Sequence, residues 1–205
     1  MCLRILNLGL KGDEKMLYLG ILWKLIFLLI VIILIIIKLK SHRNVELAII
    51  HFGFFFYLLH LLEIVFFPLK LDSQILDYEF ELNLIPFNTI IEMYKYGIKV
   101  FIKQVIGNII IFVPLGFFIP IIYKKFNSFF SILFLGIICS ITIELVQGII
   151  NNLTQFYNKV VDIDDVILNV LGVIVGHFTL TFCRKVFAKF FPTIKWLNLI
   201  KNDVN

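Results

Sequence analysis

Five long apolar stretches dominate the chain: Leu17–Ile37, Val45–Phe67, Val105–Tyr123, Phe129–Ile150 and Ile163–Phe182. Each has roughly the 18–23 residues that a helix needs to cross about 30 Å of hydrocarbon. The first runs to Ile37 with no small-residue cleavage site after it, so the pattern predicts a retained helix rather than a signal peptide. Its Lys24 lies beside Trp23 and can snorkel to the membrane interface. Between the second and third stretches lies a polar segment, Leu71–Gln104. There Thr89-Ile-Ile-Glu92 reads as a capping box that opens a helix. Ile90, Tyr94, Ile98 and Phe101 then recur at helical spacing, with Lys95, Lys99 and Lys103 as a basic stripe at i, i+4 and i+8. An apolar face beside lysines suits a helix lying on anionic headgroups. Alternatively, the lysines solvate the start of the third span.

Composition agrees with the pattern. The chain is 60% hydrophobic and 16% charged over 205 residues, against about 25% charged in a soluble domain. The expected fold is all-α, a polytopic membrane helical bundle of about five transmembrane helices with an external interfacial helix. Residues 1–44 form an N-terminal segment carrying the extra helix 17–37, residues 45–182 the membrane domain, and residues 183–205 a basic cytoplasmic tail. The formal net charge of +5 sits in short segments between apolar runs, where it orients the chain against lipid rather than binding nucleic acid. Cys2, Cys139 and Cys183 are odd in number and hold no C-x-x-C spacing, so they define neither a disulfide framework nor a metal site.

Orientation follows from the basic residues. Lys38, Lys40, Arg43, Lys124, Lys125 and the tail lie on one side in compact loops. The other side receives Arg4, Lys11, Lys15, Lys70, Lys95, Lys99, Lys103 and Lys159, with most of the exposed acids. Compact basic loops are expected in the cytoplasm. This puts the N-terminus outside and the C-terminus inside.

Polar residues inside hydrocarbon are costly and usually face a bundle interior or a cavity. In the fourth span, Gly136, Ser140, Glu144 and Gln147 share one face. In the fifth, Asp165, Asn169, Gly172 and Gly176 do, with Asp162 one turn earlier. A short loop makes these spans expected antiparallel neighbours, and Gly172-x-x-x-Gly176 permits close backbone approach. Asp164 points off that face and reads as a solvated helix-start acid. The third span begins with Gly107-Asn108 and contains Pro114, which should kink it. With His60 and Glu63 of the second span, these polar groups fall at similar depth near the outer side. Two readings compete. In one, Asn108, Glu144, Gln147 and Asn169 are interhelical glue; in the other, they line a site with Glu144 as candidate acid or base. No metal site, cofactor or nucleophile–base pair is recognised.

Four motifs in order carry a resemblance: Asn83-Leu-Ile-Pro-Phe87, Gly107-Asn-Ile-Ile-Ile-Phe-Val-Pro-Leu-Gly116, Glu144-Leu-Val-Gln147 and Val161-Asp-Ile-Asp-Asp-Val-Ile-Leu-Asn-Val-Leu-Gly172. Together, over about residues 47–182, they resemble the VanZ-like family of bacterial membrane proteins, whose founding members are associated with resistance to teicoplanin, a lipoglycopeptide antibiotic. The resemblance implies importance for Asn83, Pro86, Phe87, Asn108, Phe112, Pro114, Gly116, Glu144, Gln147, Asp162, Asp165, Asn169 and Gly172. Where the family commonly has Arg before the aspartates, this chain has Lys159, a point charge rather than a bidentate fork. The implied role is a multi-pass protein of the bacterial cytoplasmic membrane with an outward polar pocket. It would engage membrane lipids and a lipid-linked cell-wall precursor or acylated glycopeptide. The competing role is an intramembrane enzyme acting on such a precursor. A transporter with Glu144 as proton carrier ranks last, because the inner halves of the spans hold few polar residues.

Overall fold

The computed structural model describes residues 7–11, 14–18, 45–70, 82–154 and 159–190, together with Leu25, Leu28, Leu29, Ile32, Ile33 and Ile36. Those six are helical and exposed; the rest of the first expected span, beyond Tyr18, lies outside the described residues, as do residues 71–81 and 191–205. Among the described residues, four helices are long and apolar enough to cross a membrane: Ile49–Phe66, Ile98–Ile122, Phe129–Thr154 and Ile163–Phe187. The stretch expected to cross last continues as helix to Phe190, past the Phe182 boundary read from hydropathy.

The chain divides into two compact units. The first comprises Met1–Asn83 and Ile143–Val161, the second Leu84–Thr142 and Asp162–Asn205. In the first, β1 (Asn7–Lys11) and β2 (Glu14–Tyr18) pair antiparallel from Asn7 with Tyr18 to Lys11 with Glu14. Helix α1 (Val45–Phe66) follows, and β3 (Leu69–Lys70) adds to β2 through Leu17 with Leu69 and Met16 with Lys70. This small sheet corrects the all-α expectation: the fold is mostly helical, not wholly so. It also moves the start of the first span, because Leu17 and Tyr18 belong to β2. β4 (Leu82–Asn83) pairs with β5 (Val161–Asp162).

The second unit begins with a turn through Pro86 into α2 (Asn88–Lys95). Tyr96 closes that helix, and Gly97 breaks the chain at φ 119°, a conformation that glycine adopts without the steric cost of a Cβ. α3 (Ile98–Ile122) then starts seven residues before the expected Val105. The expected continuous stripe is therefore split. Ile90, Tyr94 and Lys95 lie on α2, while Ile98, Lys99, Phe101 and Lys103 lie on α3. Tyr94 and Phe101 meet edge-on across the break, ring centroids 5.7 Å apart. A 3-10 turn at Lys124–Phe126 leads to α4 (Phe129–Thr154), and the unit ends with α5 (Ile163–Phe190).

The core of the second unit lies where α3 meets α5. Phe112 of α3 and Leu168, Val173 and Leu180 of α5 are almost wholly buried, as is Ile132 of α4. Glycine decides the approach. A Cβ on Gly116 would overlap the carbonyl of Val173, one on Gly172 the carbonyl of Ile109, and one on Gly176 the carbonyl of Val113. Contacts advance in the same direction along both helices, Ile109 to Gly172 and Val113 to Gly176, so α3 and α5 run parallel. The small and polar stripe of α5 was expected against α4; its glycines meet the α3 backbone instead, while Asn169 of the same stripe reaches Ser140 of α4. α4 contributes Gly136, whose added Cβ would touch the side chain of Val173 at 3.1 Å, and Ser140. The reason is steric. The glycines bring the α3 backbone itself into contact, whereas α4 packs through side chains.

Candidate functional site

Three aspartates open α5, and each has a different task. Asp162 precedes the first helical residue, and its Oδ1 accepts the N–H of Asp164 at 2.8 Å. This is the N-cap arrangement, in which a side-chain oxygen takes one of the donors that a helix start leaves without an intrahelical partner.

Asp164 is fully buried, not solvated as its position off the polar face predicted. Its Oδ1 accepts the N–H of Phe87 at 2.5 Å and its Oδ2 accepts the N–H of Ile90 at 3.1 Å. Phe87 and Ile90 are the N-cap and N3 positions of α2. A capping box satisfies these same two donors with two local side chains. Here one carboxylate from another helix takes both. The Thr89–Glu92 box is corrected accordingly: the helix opens at Asn88, and Thr89 already lies inside it. Phe87 holds φ 67°, a left-handed conformation that costs a residue with a Cβ roughly 1–2 kcal/mol. Hydrogen bonds to a charged group contribute about 1.5–3 kcal/mol each, so the carboxylate outweighs that strain.

Asp165 faces α3. Its Oδ1 accepts the side-chain amides of Asn108 at 2.5 Å and Gln104 at 3.2 Å. Gln104 was not singled out in the sequence, although it sits one turn before Asn108 on the same face. Further along α5, Asn169 donates to Ser140 Oγ of α4 at 3.0 Å, both buried. Asp164 and Asp165 also lie in the first turn of α5, where the helix dipole favours negative charge. Asn108 and Asp165, read as lying at similar depth, are thus in contact, and Phe87 meets the aspartate run, which the sequence pattern did not indicate. Pro114 lies within α3 between the levels of Phe112 and Gly116.

The remaining candidates belong to the first unit. Gln147 is buried and donates to the carbonyl of Val65 at 3.0 Å. Lys159 is exposed, with Nζ 3.4 Å from the carbonyl of Ile64. Both carbonyls lie in the last turn of α1, where helix geometry leaves acceptors free, and a lysine there also complements the dipole. Asn151, overlooked in the sequence, clamps the Lys159 backbone at both ends: its Nδ2 donates to the carbonyl at 2.5 Å, and its Oδ1 accepts the N–H at 3.4 Å. Asn83 lies in β4. His60 Nδ1 approaches Glu63 Oε2 at 3.4 Å on α1. Glu144 is only 5% exposed, one turn after Ser140 on α4. Among the described residues no group of three or more His, Cys, Asp or Glu could hold a metal.

Long apolar helices, polar side chains tied to one another and glycine-mediated contact between two of those helices define a polytopic helical membrane protein. A family model described as VanZ/LLP1 matches residues 54–184, well over half the chain. The chain belongs to the VanZ/LLP1 family. No curated protein and no solved structure matches it.

Proposed function

We propose that this VanZ/LLP1 protein acts in the bacterial cytoplasmic membrane without catalysing a reaction. On this reading, α2 and the start of α5 face outward, with the N-terminus outside and the C-terminus inside. They engage a lipid-linked or acylated ligand, and occupancy alters the access of lipoglycopeptides such as teicoplanin to the cell surface. The observation that carries it is the bond from Asp164 to α2. It fixes a helix whose Ile91 and Tyr94 are exposed beside Lys95 and Lys99. The Gln104–Asn108–Asp165 group follows at the head of α3. An apolar face for an acyl chain, with cations and amides for a polar head, fits an amphiphilic ligand.

The test is expression in a susceptible host, with teicoplanin compared against vancomycin. Teicoplanin tolerance is expected to rise more than vancomycin tolerance, and Asp164→Ala should abolish the difference at equal membrane abundance. Unchanged teicoplanin susceptibility with confirmed expression rejects the resistance role.

One observation favours a second reading, an intramembrane enzyme acting on a lipid or cell-wall precursor. Glu144 is a buried carboxyl within a span, a place where ionisable groups are rare unless they serve a purpose. Comparison of lipid and precursor profiles between wild type and Glu144→Gln separates the two. Identical profiles discard the enzyme.

A further inference from the structure

The far end of the second unit carries a different chemistry. Between Met93 and Ile143, and again between Val166 and Asn202, the sequence has no Asp or Glu. The described aspartates of this unit are all at the start of α5. About 30 Å of helix rise separates Asp164 from Arg184 on that helix. Arg184 is buried, and its guanidinium donates to Asn127 Oδ1 at 2.5 Å. Asn127 closes the 3-10 turn Lys124–Phe126 through its N–H to the carbonyl of Lys124, 3.0 Å away. Arg184 thereby fixes the turn that presents Lys124 and Lys125, both exposed, and Lys185 follows it on α5, also exposed. Lys125 lies over the Phe126 ring, 4.9 Å from its centroid. Tyr123, 52% exposed, and Phe130, 78% exposed, flank the turn. Aromatic rings and lysines at one level mark the boundary between hydrocarbon and headgroups.

We propose that this turn and the end of α5 form a binding site for an anionic phospholipid headgroup. Lys124 and Lys125 contact the phosphate, and Arg184 is a positioning residue that holds their turn through Asn127. Basic pockets between membrane helices recognise such headgroups. The site is distinct from the one around α2 and does not depend on the function proposed above.

The test uses the full-length protein in detergent, titrated with phosphatidylglycerol and, separately, phosphatidylcholine, with bound lipid counted by native mass spectrometry. Wild type is expected to retain phosphatidylglycerol preferentially. Lys124→Gln with Lys125→Gln alters only exposed side chains. It should weaken retention about fivefold per lysine, roughly thirtyfold for the pair, the scale of one basic residue at an anionic surface. Lys103→Gln removes an exposed lysine near the other end of α3, about 30 Å of helix rise from the turn, and should change retention less than about twofold. Asn127→Ala keeps every cation and removes the tie to Arg184; it too should weaken retention. The proposal is overturned if Lys103→Gln matches either lysine of the turn, or if Asn127→Ala has no effect. It is also overturned if inorganic phosphate at matched ionic strength displaces the lipid, which would indicate a free-phosphate site.

Discussion

Asp164 and Phe87 lie 77 positions apart, yet the carboxylate of one accepts the backbone N–H of the other at 2.5 Å. With the second bond, to Ile90, this joins two separated motifs into one structural unit. The Asn83–Phe87 motif supplies the turn and the donors, and the aspartate run supplies the acceptor.

Replacing Asp164 with Asn keeps the shape but puts an amide where one of the two acceptor oxygens lies. One donor of α2 loses its partner, at a cost of about 1–3 kcal/mol. Amide exchange across residues 87–95 of the protein in nanodiscs is expected to accelerate roughly ten- to a hundredfold, with the exchange of 168–180 unchanged. Unaltered protection of α2 contradicts the capping role.

The glycines give a contrasting pair. Gly176→Ala drives a methyl into the carbonyl of Val113 and should destabilise the unit by about 1–3 kcal/mol. Gly107→Ala meets nothing within 4 Å and should be neutral or stabilise by up to about 1 kcal/mol through helix propensity. Thermal unfolding in detergent measures both. Equal effects would contradict the close contact of α3 with α5.

Asn108 and Asp165 suit a double-mutant cycle with Asn108→Leu and Asp165→Asn. Interhelical hydrogen bonds in a membrane protein average about 0.6 kcal/mol, and a charged acceptor raises the figure toward about 1.5 kcal/mol. The expected coupling lies in that range. A coupling near zero would show that the two side chains do not depend on each other.

At Lys159 the backbone matters more than the charge. Asn151→Ala removes both clamps and should cost about 1–3 kcal/mol. Lys159→Ala removes one exposed contact and should cost less than about 1 kcal/mol. Stability of the two variants under denaturing detergent ranks them. The reverse order would favour an anion-gripping role for the lysine.

Much of this was legible from hydropathy. The α1 boundaries differ by one residue from expectation, and α4 and α5 begin at the expected residues because their apolar runs start abruptly after polar loops. The similar depth of Asn108 and Asp165 was legible from periodicity, but that these two would be partners was not. The family expectation is met over residues 54–184. What escaped has identifiable causes. Thr89–Glu92 matched a local capping pattern, but the acceptor came from a residue remote in sequence, which no local pattern registers. Asp164 points off the polar face of α5, and burial by a separate helix is invisible to periodicity. The hairpin carried a signal in Gly12-Asp13 between two short runs, but the long apolar pattern beside it dominated the reading. Gly172 and Gly176 announced a close neighbour without saying which helix it was.

The distance along the chain between α2 and its cap also imposes an order in time. During synthesis α2 leaves the ribosome long before Asp164 exists, so its first turn waits with two donors unmet. It is completed only when the fifth helix has been made and set beside the third. Closure of the α2 helix start is therefore a late event in biogenesis, and a chain halted before Asp164 would carry α2 without its cap.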